Sequence, residues 1–328
     1  MKGLVTALML LFGGIGPGED TLRVLFWNVE NFFDYRDEGY SDSDAEFSSR
    51  GERRWTKRRF QAKCDAVAKA LLWTASEEGG LPDAVGLAEV ENAFVLRRLL
   101  KSTSLRKLDY KYLHFESPDP RGIDVALLYR DSRLKLLEAR PCHLYAPDSS
   151  ILATRDILLA RFRAPDGEEI AFLVNHHPSK YGGAAVSEPR RKVAVKRLRA
   201  LADSLAGLGV ARIVAMGDFN DTPENPLFGL LEPRLTPLHL DDYRHGRGTI
   251  KYEGKWDLID HFYVSEALVG SAEMKILHIP FLLVREASHP GEKPLRTYQG
   301  PRYLGGVSDH CPIWLRIIDK SEGLRIPF

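Results

Sequence analysis

The sequence predicts a mixed α/β domain, and three observations carry that prediction. Apolar runs of strand length alternate with segments of helical period along most of the chain. The 328 residues are 44% hydrophobic and 28% charged, which is enough apolar material for a sizeable core. No internal repeat, low-complexity tract or Pro/Gly/Ser-rich linker interrupts the chain, so residues 21–320 read as a single domain.

Ahead of that domain, Met1-Lys2 leads into a mostly apolar stretch from Leu4 to Phe12 and then GGIGPGED. One lysine, a short apolar run and small residues mark residues 1–18 as a signal-peptide-like leader, although no Ala-x-Ala site is evident. The expectation is a secreted or periplasmic protein, with an irregular cytoplasmic leader as the alternative. The stretch is shorter than the roughly 20 apolar residues of a spanning helix, so no stable membrane anchor is expected.

Residues 21–31, TLRVLFWNVEN, read as a buried strand ending in polar residues. Phe60, Cys64, Val67 and Leu71 recur at helical spacing within residues 56–72. PDAVGLAEVEN (residues 82–92) is again a short apolar strand closed by acids. KYLHFE and IDVALLYR read as strands, and DILLARFRA turns at PDG into EEIAFLVNHH, a hairpin. A second helix is expected to start at Ser187 as N-cap, with Pro189 in its first turn. Its stripe would be Ala194, Leu198, Leu201, Leu205 and Leu208. Further strands are ARIVAMGDFND, residues 257–265 (DLIDHFYVS) and CPIWLRI.

Charge and cysteine content exclude several classes. A net charge of +1 supplies no global field for polyanions, so any such binding must come from local basic clusters. Cys64, Cys142 and Cys311 show no Cys-x-x-Cys spacing, which argues against zinc or thioredoxin-like chemistry. Their odd number also argues against a disulfide framework. No Gly-x-Ser-x-Gly, Walker loop or dinucleotide fingerprint occurs.

The strand ends hold the chemistry. Asn28 and Glu30 close the first strand, and Glu89 and Glu91 the second. Asn175-His176-His177 closes another, Asp218 and Asn220 stand in GDFND, Asp257 and Asp260 flank a later strand, and Ser308-Asp309-His310 precede the last. Any one ending could be turn chemistry, since Asn and Asp bond locally to backbone. Six together point to a site on a rigid scaffold. Hard oxygen donors suit Mg²⁺, Mn²⁺ or Ca²⁺, and imidazoles beside carboxylates suit proton transfer. Metal-assisted hydrolysis of an anionic ester follows. Within it, either Asp218 or His310 could take the proton from water.

WNVEN, LAEVEN, NHHPSK, GDFND, WDLIDHFYVS and SDHCPI, in that order, resemble the endonuclease/exonuclease/phosphatase superfamily with its deoxyribonuclease-I-like fold, from about Arg23 to Leu315. RGIDVALLYR, SEPRRKVA and PLRTYQGPRYLGGVSDH are similar to a bacterial branch whose members are mostly unassigned. The resemblance implies a four-layer α/β/β/α sandwich with its site at one edge of two packed sheets. It implies metal binding by Glu89, Asn28, Glu30 and Asp309, with Mg²⁺ as cofactor and Mn²⁺ or Ca²⁺ as substitutes. It assigns water and phosphate positioning to Asp218 and Asn220, a histidine–carboxylate pair to His310 and Asp260, and phosphoryl contact to His176. His177 is expected to be an outward or supporting neighbour.

The implied activity is an endonuclease or phosphodiesterase acting on nucleic acid. The alternatives are a phosphohydrolase on inositol phosphates or sphingomyelin-type substrates, and a non-catalytic binding module of the same fold. No protein partner is inferable. Arg121 in RGID is a candidate phosphate contact. Basic clusters at 50–59 and 190–199 read either as solvated helix faces or as a phosphate-tracking patch. Residues 248–257, Tyr298 and Tyr303 read either as packing or as a wall for a base or sugar.

Overall fold

The computed structural model describes residues 21–36, 38–39, 41–180 and 183–318; the expected leader, residues 1–18, lies outside them. In chain order the elements begin with β1 (Leu22–Phe32), a short α1 (Asp42–Glu46), α2 (Lys57–Glu77), β2 (Ala84–Val90) and α3 (Ala93–Ser102). Next come β3 (Tyr110–His114), β4 (Asp124–Arg130), β5 (Lys135–Cys142), β6 (Ile157–Arg163), β7 (Glu169–His176), α4 (Ala184–Gly207) and β8 (Arg212–Asp218). There follow β9 (Thr236–Pro237), α5 (Leu240–Arg244), β10 (Ile250–Tyr252), β11 (Lys255–Asp257), β12 (Asp260–Val264) and β13 (Ala272–Ile276). Two small hairpins, β14 (Leu283–Arg285) with β15 (Glu292–Pro294) and β16 (Tyr298–Gln299) with β17 (Arg302–Tyr303), lead to β18 (Ile313–Ile317).

Two mixed six-stranded sheets form the centre. One has the order β13-β18-β1-β2-β4-β3 and the other β5-β6-β7-β8-β12-β9. Alternation along the strands explains the layers, because successive side chains face opposite sides. In β1, Val24 and Phe26 face the second sheet, joining Phe172, Met216 and Phe262, while Leu25, Trp27 and Val29 face α2 and α3. In β8, Val214 and Met216 enter the inter-sheet core, while Ile213 and Ala215 pack with Leu198 and Leu201 of α4. Strands covered on both faces read as continuous apolar runs, as β1 and β8 do. The expected four-layer sandwich is thus the observed fold.

Strand direction positions the site. β1 and β2 are parallel, joined through α2, and β7 and β8 are parallel, joined through α4. A parallel pair needs such a crossover. The C-terminal ends of these four strands share one edge of the sandwich. β4, β12 and β18 run antiparallel to β2, β8 and β1, so their beginnings arrive at the same edge.

Several local expectations change. α4 begins at Ala184, not after a Ser187 cap, and Gly183 precedes it with φ 102°. Two alanines, the strongest helix formers, extend it backwards, and Pro189 falls in the second turn. Ser187 Oγ instead donates to Gly183 O and accepts from Arg191. Leu208 lies past the helix end and is exposed rather than part of the stripe. Residues 257–265 are not one strand: Asp257 pairs with Ile250 in the β10–β11 hairpin, whereas Asp260 opens β12 opposite Asp218. Helix α3 and edge strands β5 and β13 are not among the expected elements; β5 is largely exposed and contains Pro141, so it lacks an alternating pattern. No helix among the described residues is long and apolar enough to cross a membrane.

Candidate active site

At the shared edge, GDFND turns out of β8. Gly217 is required by close approach, since a Cβ there would stand 2.4 Å from Asn175 O on the neighbouring strand. Asp218 is fully buried; its Oδ1 accepts from Asn220 N at 2.9 Å and its Oδ2 from Asn28 Nδ2 at 3.0 Å. His176 Nε2 and His310 Nε2 lie 3.7 and 3.8 Å from the same Oδ2. Asn220 Nδ2 donates to His177 O at 3.0 Å, closing the turn onto β7.

His310 is held from three sides. Its Nδ1 meets Asp260 Oδ2 at 2.7 Å, its N–H donates to Ser308 Oγ at 2.9 Å, and its carbonyl accepts from Trp27 Nε1 at 2.9 Å. Ser308 Oγ donates in turn to Asn28 O at 2.6 Å, tying the SDH segment to β1. Burial opposes charge on the imidazole. The attraction of Asp260 and its hydrogen bond, then of Asp218 and Asp309, outweigh it and hold the pKa well above the ordinary histidine value. Burial pushes the Asp218 carboxyl up to about 7, against the pull of His310. His176, buried beside Arg155 and Arg121, is held well below the ordinary value and stays neutral.

The acids Glu89, Glu30 and Asp309 stand beside this group. Glu89 Oε2 accepts from Asn31 N at 2.7 Å. Arg121 Nη2 binds Asn31 Oδ1 at 2.8 Å and lies 3.9 Å from Glu89. Glu30 accepts from Arg296 Nε at 3.0 Å and Thr297 N at 2.7 Å, while Arg296 Nη2 also reaches Asp309 Oδ2 at 2.8 Å. Desolvation and nearby Asp309 push Glu30 up to about 7. The edge therefore gathers every expected site residue into one connected network. It also carries strain: of seven non-glycine residues with positive φ among those described, Glu30, Asn31, Glu89 and Asn220 sit here.

Three participants were not anticipated. Arg296 bridges two acids of the pocket; it stands in PLRTYQGPRYLGGVSDH, but a lone arginine in a loop carries no spacing signal. Lys63, buried on α2, donates to Glu30 O and to Thr297 Oγ1. Arg155, also buried, joins Asp119 Oδ2 (2.8 Å) to His177 O (2.7 Å) and so fixes the Arg121 loop. Other expectations resolve as packing. Of the two expectations for His177 the supporting one fits: its ring is buried 4.6 Å from Phe219 and its carbonyl accepts from Asn220 and Arg155. Tyr298 is core, donating to Arg53 O beside Trp55, and Tyr303 stacks on Arg59.

Asp218, Asp260 and His310 stand close enough together for a metal-binding group, but an imidazole held cationic by Asp260 has no lone pair to offer an ion. Around it, the carboxylates of Glu89 and Asp309 and the amide of Asn28 are hard oxygen donors of the kind Mg²⁺ or Mn²⁺ takes, so the donor set fits such an ion.

Among solved structures, the chain is similar to the human Nocturnin catalytic domain with bound sulfate (17% identity, TM-score 0.58, covering 92% of this chain and 95% of that one). It is similar to a humanized D. rerio TDP2 (17%, 0.56, 92% and 100%) and to the Bacteroides thetaiotaomicron mannosyl-6-phosphatase Bt3783 (15%, 0.55, 90% and 98%). No curated protein matches by sequence. At such identities these structures show the fold. The sequence profile described as the Endonuclease/Exonuclease/phosphatase family matches residues 23–319, nearly the whole described chain, and the protein belongs to that family of phosphate-ester hydrolases.

Proposed function

We propose that the protein is a Mg²⁺-dependent phosphodiesterase that cleaves nucleic acid by attack of water. The observation that carries this reading is Asp218, buried between Asn28, Asn220 N–H and the two imidazoles, with Asp260 behind His310. Asp218, its pKa raised by burial, takes the proton of the attacking water, and Asn220 orients that water and the phosphate. His310, kept cationic by Asp260, and neutral His176 donate to the phosphoryl oxygens as charge builds on them. Arg121 contacts a phosphate at the rim. Glu89, Asn28 and Asp309 would hold the metal, with Glu30 beside them steadied through Arg296. The ion, when bound, acts as a Lewis acid and stabilises the leaving oxygen.

Nicking of supercoiled plasmid in Mg²⁺, abolished by EDTA and by Glu89→Gln, is the expected result. Intact plasmid with metal bound would refute the nuclease. A second reading, a phosphohydrolase on inositol phosphates or sphingomyelin-type esters, is favoured by the internal use of basic side chains. Arg53 pairs with Glu46, buried Arg191 with Asp221, and Arg199 with Asp203, which leaves less charge for a polyanion. Phosphate release from such esters, with plasmid uncut, would select it. Comparing pH–rate profiles of Asp218→Asn and His310→Ala assigns the base: the variant that alone loses the limb reporting the base has lost it. We infer export from the leader-like N-terminus, and N-terminal sequencing of the mature protein tests it.

A further inference from the structure

A second group of metal-ligating side chains lies at the mouth of the β3–β4 hairpin. The antiparallel register sets His114 opposite Ala126, so Glu116, two residues further, comes level with Asp124. His114, Glu116 and Asp124 each bring a ligand atom within 4.8 Å of the others. None of the three belongs to the network around Asp218.

The imidazole is the telling feature. The His114 side chain is 3% exposed, and its Nε2 is buried without a hydrogen bond, although Asp124 Oδ2 lies 3.3 Å away. A buried polar atom left unpaired beside a carboxylate is costly. Glu116 Oε1 lies 3.8 Å from the other ring nitrogen, so the imidazole sits between two carboxylates. Ligand atoms about 2.0–2.2 Å from a tetrahedral ion stand roughly 3.3–3.6 Å apart, which matches the Nε2–Oδ2 separation. Glu116, 72% exposed, leaves a path from solvent.

We propose that His114, Glu116 and Asp124 form a second divalent-cation site. One nitrogen and two carboxylate donors select a zinc-like transition ion over Mg²⁺, which prefers oxygen and water. The ion fixes the start of the loop that carries Arg121. Asp124 Oδ1 already accepts from Ser117 N, and further along that loop Asp119 holds Arg121 N and Arg155. The site therefore supports the rim of the active-site edge without touching its acids.

Co²⁺ titration tests this in the Glu89→Gln/Asp218→Asn protein, whose acid pocket is disabled. One equivalent is expected to bind, with the visible absorption of a nitrogen-ligated ion and a rise in melting temperature. Adding His114→Gln or Glu116→Gln is expected to weaken that binding at least about tenfold and remove the absorption. Exposed Glu116 can be changed without risk to folding, so its variant decides the matter if His114→Gln does not fold. No binding in the doubly substituted background, or binding unaltered by Glu116→Gln, would overturn the proposal.

Discussion

Among the described residues the Asp260 carboxylate bonds only the Nδ1 of His310, and its other oxygen is buried without a hydrogen bond. Asp260→Asn keeps the shape and removes the charge that holds the imidazole cationic. On bis-p-nitrophenyl phosphate, kcat is expected to fall about 10²–10³-fold with little change in KM. The His310 limb of the pH–rate profile should move to lower pH. An unchanged profile would remove Asp260 from the mechanism. Ser308 acts through its neighbours, bonding Asn28 O and His310 N. Ser308→Ala should lower kcat about tenfold while leaving metal affinity near wild type, because it loosens the imidazole rather than the acids.

At the level of elements, the β7–β8 pair is the tightest constraint. A Cβ at Gly217 meets Asn175 O and C within the strand pair that delivers both His176 and Asp218. Gly217→Ala is therefore expected to destabilise by about 1–3 kcal/mol in urea unfolding and to reduce activity as well. Loss of neither would mean that the strands can part without consequence. Helix α4 supports the opposite face. Leu198 is fully buried there, and Leu198→Ala should cost about 2–5 kcal/mol while kcat of the surviving folded fraction is kept.

The whole molecule carries a nest of buried histidines beneath the active edge. His239 and His261 stack at 4.0 Å, and Phe219 lies against both His261 and His177. Desolvation holds His239 well below the ordinary value, His261 down to about 4 and His177 down to about 3. Between pH 6.5 and 4 the unfolded chain binds protons that the folded nest refuses, so stability from these groups is lost as pH falls. The raised acids Glu91, Glu30 and Asp218 work in the opposite direction, and a difference isolates the nest. Relative to wild type, His261→Phe should gain up to about 1.4 kcal/mol per pH unit across that window in parallel urea titrations. Parallel curves for the two proteins would refute it.

The class of the fold, and which residues would gather at one edge of it, were legible because they rest on order and period. Continuous apolar runs in β1 and β8 announce strands covered on both faces, and the acids, amides and imidazoles stand where those runs stop. Pairing was not legible. The meeting of Asp260 and His310 across 50 residues was reached only through the family resemblance, and that Arg296 closes over Glu30 across 266 residues depends on which strands and loops are neighbours. The start of α4 and the break before β12 differ from expectation because propensity and pairing, not caps or apolar content, decide where an element ends. By itself the sequence determined the α/β class and the donor atoms, which follow from spacing and side-chain chemistry, and the four layers through its resemblance to a known family. The tertiary structure alone decided their geometry. Parallel crossovers bring four strand ends to one edge, where burial raises the proton affinity of Asp218 and lowers that of His176 while the carboxylates of Asp260 and Asp218 raise that of His310 against burial.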